Sequence, residues 1–133
     1  MTTAEEHYRE GRASAGRGDI AAAFVHLEKS IELQPDNAEA CKLLARLSLA
    51  VNEVRAFQNW CHEAARLAPG DPEPHWLIAQ VCAASNRWSE SAEALEKAIA
   101  LLPANDSRRE TWLRDANKSR QRATSETQFK LDR

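Results

Sequence analysis

The residues of this chain that could do chemistry are few and scattered. Three cysteines, Cys41, Cys61 and Cys82, and four histidines, His7, His26, His62 and His75, are the candidates for metal, redox or nucleophilic work. No two cysteines stand in a CxxC pair, so no metal knuckle or redox dithiol is written locally. Cys61 and His62 are neighbours, and on a helix neighbours point about 100° apart, too far to chelate one ion easily. The sequence holds no HExxH, no glycine-rich phosphate loop and no GxSxG elbow. Its glycines, Gly11, Gly16, Gly18 and Gly70, are too dispersed to cradle a nucleotide. Acidic pairs such as Glu5–Glu6 fall on what should be exposed helix surface. The expectation is a chain that is not an enzyme, with no catalytic residue set, no cofactor and no bound metal.

Composition sets the frame for whatever positions these residues. The 133 residues carry a formal charge of −2 and are 43% hydrophobic, which suits one domain with a core. No apolar run is long enough to span a bilayer, where about 18 residues or more are needed. The start, MTTAEEHYREGR, is polar and lacks the apolar segment of a secretory signal, so the expected compartment is the cytoplasm. Charge is unevenly spread: residues 1–105 hold 10 basic and 15 acidic side chains, and residues 106–133 hold 8 and 5. The basic end could meet nucleic acid or an acidic protein, but charged runs are more often solvated surface.

The positioning elements are repeated helical hairpins. Pro35, Pro69 and Pro103 fall 34 residues apart, each after a helical run ending in leucine. A period of this size is the mark of helix–turn–helix solenoids, in which each hairpin hides its neighbour's apolar face. Other columns keep the period. Gly11, Ala45 and Ala79, and again Ser30, Ala64 and Ala98, are small, as closely packed helices require. Gly18, Asn52 and Asn86 stand where each turn needs a residue tolerant of left-handed backbone. Asn37, Asp71 and Asn105 precede helices and suit N-caps, and Pro72 suits a first helical position. His7 and His75 share a column with Cys41, so packing between helices explains them better than a shared metal. All three cysteines are expected in the core, reduced.

The predicted helices run from Ala4 to Arg17, Asp19 to Leu33, Ala38 to Val51, Glu53 to Ala68, Pro72 to Ser85 and Trp88 to Leu102. Ile20, Ala23, Phe24, Leu27 and Ile31 form one inward stripe, and Val54, Phe57, Cys61, Ala64 and Ala65 another. The third hairpin should be cored by Ile78, Ala79, Cys82, Trp88, Leu95, Ala98 and Ile99. After Asn105 the period fails, but Asp106 to about Arg122 still reads as a helix, with Ser107 and Glu110 at capping-box spacing. Its stripe of Trp112, Leu113 and Ala116 should cover the last hairpin, with Trp112 against Leu95 and Ile99. The polar stretch 123–133 is expected to be a disordered tail.

In these columns the chain resembles the tetratricopeptide repeat family over Ala4 to Asn105. It departs from the family's pattern at Glu10, where an apolar residue is usual, and at Phe57, where alanine is. The resemblance implies an all-α fold: a right-handed α-solenoid of three repeats (4–37, 38–71 and 72–105) with a seventh, capping helix over 106–122. It also implies a concave groove, lined by the first helix of each hairpin, that holds a peptide or helix of another protein.

Helical spacing aims Glu5, Tyr8, Arg12 and Ala15, then Glu39, Lys42, Arg46 and Leu49, then Glu73, Trp76, Gln80 and Ala83 toward that groove. Tyr8, Arg12, Lys42, Arg46, Leu49, Trp76 and Gln80 are therefore the candidate partner-binding residues, since aromatic and arginine side chains are enriched at binding hot spots. The bland alternative is that Tyr8 and Trp76 cover neighbouring helices while the charges pair across repeats. Family members that grip chaperone C-termini use a two-carboxylate clamp of lysine, asparagine and arginine. The matching positions here are Tyr8, Arg12, Leu43, Glu73 and Leu77; only Arg12 could serve, so no such clamp is expected.

The reading is a non-catalytic protein–protein interaction adaptor or scaffold with no membrane span and no nucleic-acid partner. The alternatives are a docking region of a larger enzyme such as a glycosyl- or sulfotransferase, a self-associating scaffold or homo-oligomer, and a nucleic-acid binder using Arg108, Arg109, Arg114, Lys118, Arg120 and Arg122.

Overall fold

The computed structural model describes residues 2–132. Among them are seven α-helices and no strand: α1 (Ala4–Gly16), α2 (Ile20–Leu33), α3 (Ala38–Ala50), α4 (Val54–Leu67), α5 (Glu73–Ala84), α6 (Trp88–Ala100) and α7 (Arg108–Leu131). None of these helices is long and apolar enough to cross a membrane. The chain divides into two compact units, Met1–Pro69 with α1 to α4 and Gly70–Arg133 with α5 to α7.

Local chemistry sets the hairpin turns. Gly18, Asn52 and Asn86 adopt φ of +80°, +65° and +59°, the left-handed region that ends a helix. The following residue closes each turn in the same way: the N–H groups of Asp19, Glu53 and Arg87 donate to the carbonyls of Ser14, Ser48 and Cys82. Starts are capped by side chains. Thr3 Oγ1 accepts from Glu6 N–H, Asp19 Oδ1 from Ala22 N–H and Asn37 Oδ1 from Ala40 N–H. Asp71 Oδ1 accepts from Glu73 N–H, and Pro72 is already in the helical region.

In the first unit, Ala23, Leu27, Ala40, Leu44 and Leu47 form the buried cluster, with Tyr8, Ile20, Phe24, Ile31 and Trp60 packed against it. Gly11 lets α1 and α2 close up: a Cβ there would lie 2.6 Å from Leu27 Cγ. Ser30 Oγ donates to the Ala4 carbonyl at 2.8 Å, so the small column also ties the two helices together. Phe57, in a column of Ala23 and Ser91, is fully buried, as are Cys61 and Ala64. Val54, expected inward, is 40% exposed because it is the first residue of α4, where the helix has only begun to meet α3.

In the second unit, Ala79, Ala94, Leu95, Ala98, Ile99 and Leu102 join Trp112 and Ala116 of α7 in one cluster. The buried line on α7 is Trp112, Ala116 and Ser119; Leu113 points away and is 42% exposed, so the apolar stripe is narrower than its residue types suggest. Ser107 makes no side-chain cap and the capping box does not form. Asp106 takes that role, accepting from Arg108 N–H at 2.8 Å and from the Arg108 guanidinium. Nor does the helix end near Arg122. It runs to Leu131, because 123–131 contains no glycine or proline to break it; the Thr124 and Thr127 hydroxyls are absorbed within the helix, donating to the Arg120 and Ala123 carbonyls. Arg133, the end of the stretch expected to be disordered, lies outside the described residues.

Candidate interaction surface

The three cysteines are buried free thiols. Burial pushes Cys41 up to about 11 and Cys61 to about 12, and raises Cys82 as well. A thiol held that high is protonated at neutral pH and is a poor nucleophile or metal ligand. Among the described residues no group of three or more His, Cys, Asp or Glu side chains is placed to hold a metal.

The sequence-predicted binding residues divide by unit. On α1, the Arg12 guanidinium lies over the Tyr8 ring, 5.6 Å from its centroid. Tyr8 is half-buried, its body resting on the first core, and Arg12 is exposed. One repeat further on, α3 carries Lys42, Arg46 and Leu49 in the places of Tyr8, Arg12 and Ala15. Arg46 is exposed, and Leu49 is 38% exposed. Lys42 departs from expectation: it is only 5% exposed, with its ammonium 2.9 Å from Glu39 Oε1. The aliphatic stem of a lysine can lie along apolar surface while its head finds a partner, and that is the geometry here.

On α5, Gln80 is exposed, whereas Trp76 is half-buried and stacked on Trp112, with 6.0 Å between centroids. Trp76 thus covers a neighbouring helix, the bland alternative for that residue. Basic side chains of α7 are also engaged: Arg109 with the Ile99 carbonyl, Arg114 with Glu110, Arg120 with Glu96, and Arg108 and Arg122 over the rings of Trp112 and Trp88.

Two residues escape a reading by column. Trp60 lines a shallow apolar recess between α2 and α4 with Ile31, Pro35 and Ala56. His26 meets His7 across the first hairpin. The histidine pairing follows from the antiparallel register of a hairpin, in which residues about equally far from the turn face each other, whereas the Trp60 recess lies between the second helices of successive hairpins; comparing residues along the repeat period finds neither.

A tetratricopeptide repeat family profile matches residues 14–80, just over half of the chain. The chain belongs to the tetratricopeptide repeat family. Solved structures agree on the fold. The TPR2B domain of yeast Sti1, solved in complex with pHsp70, superposes with a TM-score of 0.76 at 19% identity, covering 89% of this chain and 96% of that one. The first TPR of Spaghetti (RPAP3), solved with the HSP90 peptide SRMEEVD, gives 0.72 at 16% identity and 94% coverage of each chain. A chain of the CopN–Scc3 complex gives 0.75 at 20% identity, covering 83% of this chain and 66% of that one. No curated protein sequence gives a significant match. The tetratricopeptide fold is generally that of a non-catalytic interaction module, and neighbours of this fold bind partner proteins or peptides.

Proposed function

We propose that this chain is a non-catalytic protein–protein interaction module that works in the cytoplasm and binds a segment of a partner on the faces of its first helices. The observation that carries this is on α1 and α3. The aromatic–cation pair Tyr8–Arg12 stands at the surface, and the same columns one repeat later offer Arg46 and the partly exposed Leu49. A flat amphipathic ring, two guanidinium groups and an aliphatic edge suit a segment with one or more carboxylates beside apolar side chains. Lys42 helps hold that face through Glu39, and Gln80 is an exposed residue of α5 in the second unit.

Two of the related folds were solved with chaperone peptides, but their ligand class does not carry over. By the family resemblance the five clamp positions are Tyr8, Arg12, Leu43, Glu73 and Leu77, of which only Arg12 is a cation and Glu73 is an anion. The partner is a different acidic-apolar segment.

Selection of displayed random peptides on the immobilised chain tests this. Enriched sequences should combine acidic and apolar residues and should lose binding to the doubly substituted Arg12→Glu, Arg46→Glu chain, whose fold is checked by circular dichroism. Equal binding to the folded double variant would move the site elsewhere.

A further inference from the structure

His7 on α1 and His26 on α2 approach each other with their Nδ1 atoms 3.2 Å apart. Their ring centroids are 5.4 Å apart and the planes are tilted by 35°. Both rings are half-buried, so each is held by its own helix. The repeat does not require this pair. His7 has Cys41 and His75 in its column, while the His26 column continues with Trp60 and Ala94, so the juxtaposition belongs to the first hairpin alone.

A neutral imidazole has one N–H and one lone pair. An Nδ1-to-Nδ1 hydrogen bond therefore forces the two rings into opposite tautomers. If both rings carry the proton on Nε2, two lone pairs face one point and repel, unless a cation sits between them. The spacing fits that cation. With metal–nitrogen bonds of about 2.0–2.1 Å, nitrogens at this separation subtend an angle of about 100° at the ion, close to tetrahedral.

The surroundings favour a positive guest. The pair opens onto a surface recess lined by Glu6, Arg9 and Glu10. Arg9 is committed to Glu5 at 2.6 Å, which leaves the two glutamates to set the local sign.

We propose that His7 and His26 form a two-histidine site for a borderline transition-metal dication such as Zn²⁺, Ni²⁺ or Cu²⁺, with water filling the remaining positions. Imidazole suits these ions, whereas Mg²⁺ and Ca²⁺ demand oxygen ligands. The bound ion clasps the early part of α1 to the middle of α2. It therefore stabilises the folded chain in proportion to free metal and is independent of the partner-binding face.

The test uses the whole chain titrated with Cu²⁺, Ni²⁺ and Zn²⁺ by calorimetry, with Mg²⁺ as the control ion. One equivalent should bind. His7→Gln and His26→Gln should each weaken binding by about tenfold or more, the scale on which even supporting groups of metal sites act. His62→Gln, which changes an exposed histidine, should leave it unchanged. The melting temperature should rise with Zn²⁺ in the unmodified chain and not in His26→Gln. Electron paramagnetic resonance of the unmodified chain with one equivalent of Cu²⁺ should show two coordinated imidazole nitrogens, a readout that does not depend on the variants folding. A spectrum with one nitrogen or none, or full-strength binding by folded His26→Gln, overturns the site.

Discussion

Trp112 of α7 lies stacked on Trp76 of α5, with ring centroids 6.0 Å apart and 18° between the planes. The contact is more than a pair of rings. Trp112 also enters the cluster of Leu95 and Ile99 on α6 and Leu102 just beyond it, and Arg108 sits over its ring at 5.3 Å. One side chain from outside the repeat thus joins both helices of the last hairpin, and this is how α7 covers that hairpin.

Trp112→Ala should therefore destabilise the chain by about 3 kcal/mol, the lower end for truncating a buried aromatic. Removing residues 106–133 should lower the melting temperature further, since it exposes Ala98, Ile99 and Leu102 together. Urea unfolding followed by circular dichroism measures the first change. A midpoint within error of the parent chain would show that α7 does not cap the hairpin.

Two glycines in α1 should respond in opposite ways to the same substitution. Gly11→Ala places a methyl 2.6 Å from Leu27 Cγ and 3.3 Å from the Leu27 backbone nitrogen, inside a fully buried contact. Overpacking of this kind costs about 1–3 kcal/mol and outweighs alanine's better helix propensity. At Gly16 a Cβ meets nothing within 4 Å, so Gly16→Ala should stabilise by about 0.5 kcal/mol. Thermal melts of the two variants should bracket the parent; two shifts of the same sign would refute the close approach at Gly11.

Asp106 makes stability depend on pH in one direction. Hydrogen bonds from the Arg108 side chain, then from its backbone N–H, bring the Asp106 carboxyl down from 3.8 to about 2. A carboxylate with a depressed folded value binds its proton more readily when unfolded. Its stabilising effect is therefore complete above 3.8 and is lost as the pH falls through about 2. Asp106→Asn keeps a cap acceptor but removes the charge. The gap in urea midpoint between parent and variant should be widest near neutrality and close progressively below pH 3.8; a gap constant with pH would assign the whole effect to the uncharged cap.

The buried thiols should be inert in the folded chain. With Cys41 at about 11 and Cys61 at about 12, roughly one thiol in a thousand or fewer is ionised at pH 8, and none is open to solvent. Reaction with a disulfide reagent should be slow, should report local opening, and should begin at Cys82, the least buried of the three. In denaturant all three should react at once. A rapid full-stoichiometry reaction without denaturant would contradict the packing of α3, α4 and α5.

The parts of the fold legible in the sequence are those that local chemistry or the repeat determines. Gly18, Asn52 and Asn86 announce left-handed turns because few other residues tolerate that backbone, and all three adopt it. The small columns at Gly11, Ala45 and Ala79 announce close helices, and all three are buried. What periodicity hides is what lies beside a residue. Lys42 and Trp76 fall on the outward column by spacing, yet Lys42 is buried beside Glu39 and Trp76 is covered by α7, an element outside the period. The end of α7 was obscured for a related reason. Its last turns bury little, so no apolar pattern marks them, and the lack of a glycine or proline in 123–131 is a weaker signal than a buried stripe.

Glu73 and Leu77 supply the last prediction, which concerns ligand choice. Chaperone tails end in clustered carboxylates, and a site that accepts them must place cations where this chain has an anion and an aliphatic side chain. The peptide SRMEEVD, the ligand of one related fold, should bind this chain with a Kd weaker than about 10 µM, the range of a contact lacking charged anchors. Replacing repulsion by attraction should reverse this in part: Glu73→Lys with Leu77→Arg should tighten binding by about tenfold, the worth of one good charge-assisted hydrogen bond. Fluorescence anisotropy with the labelled peptide reads both values. Tight binding by the unmodified chain would show that carboxylates are held by side chains other than those in the family's clamp positions.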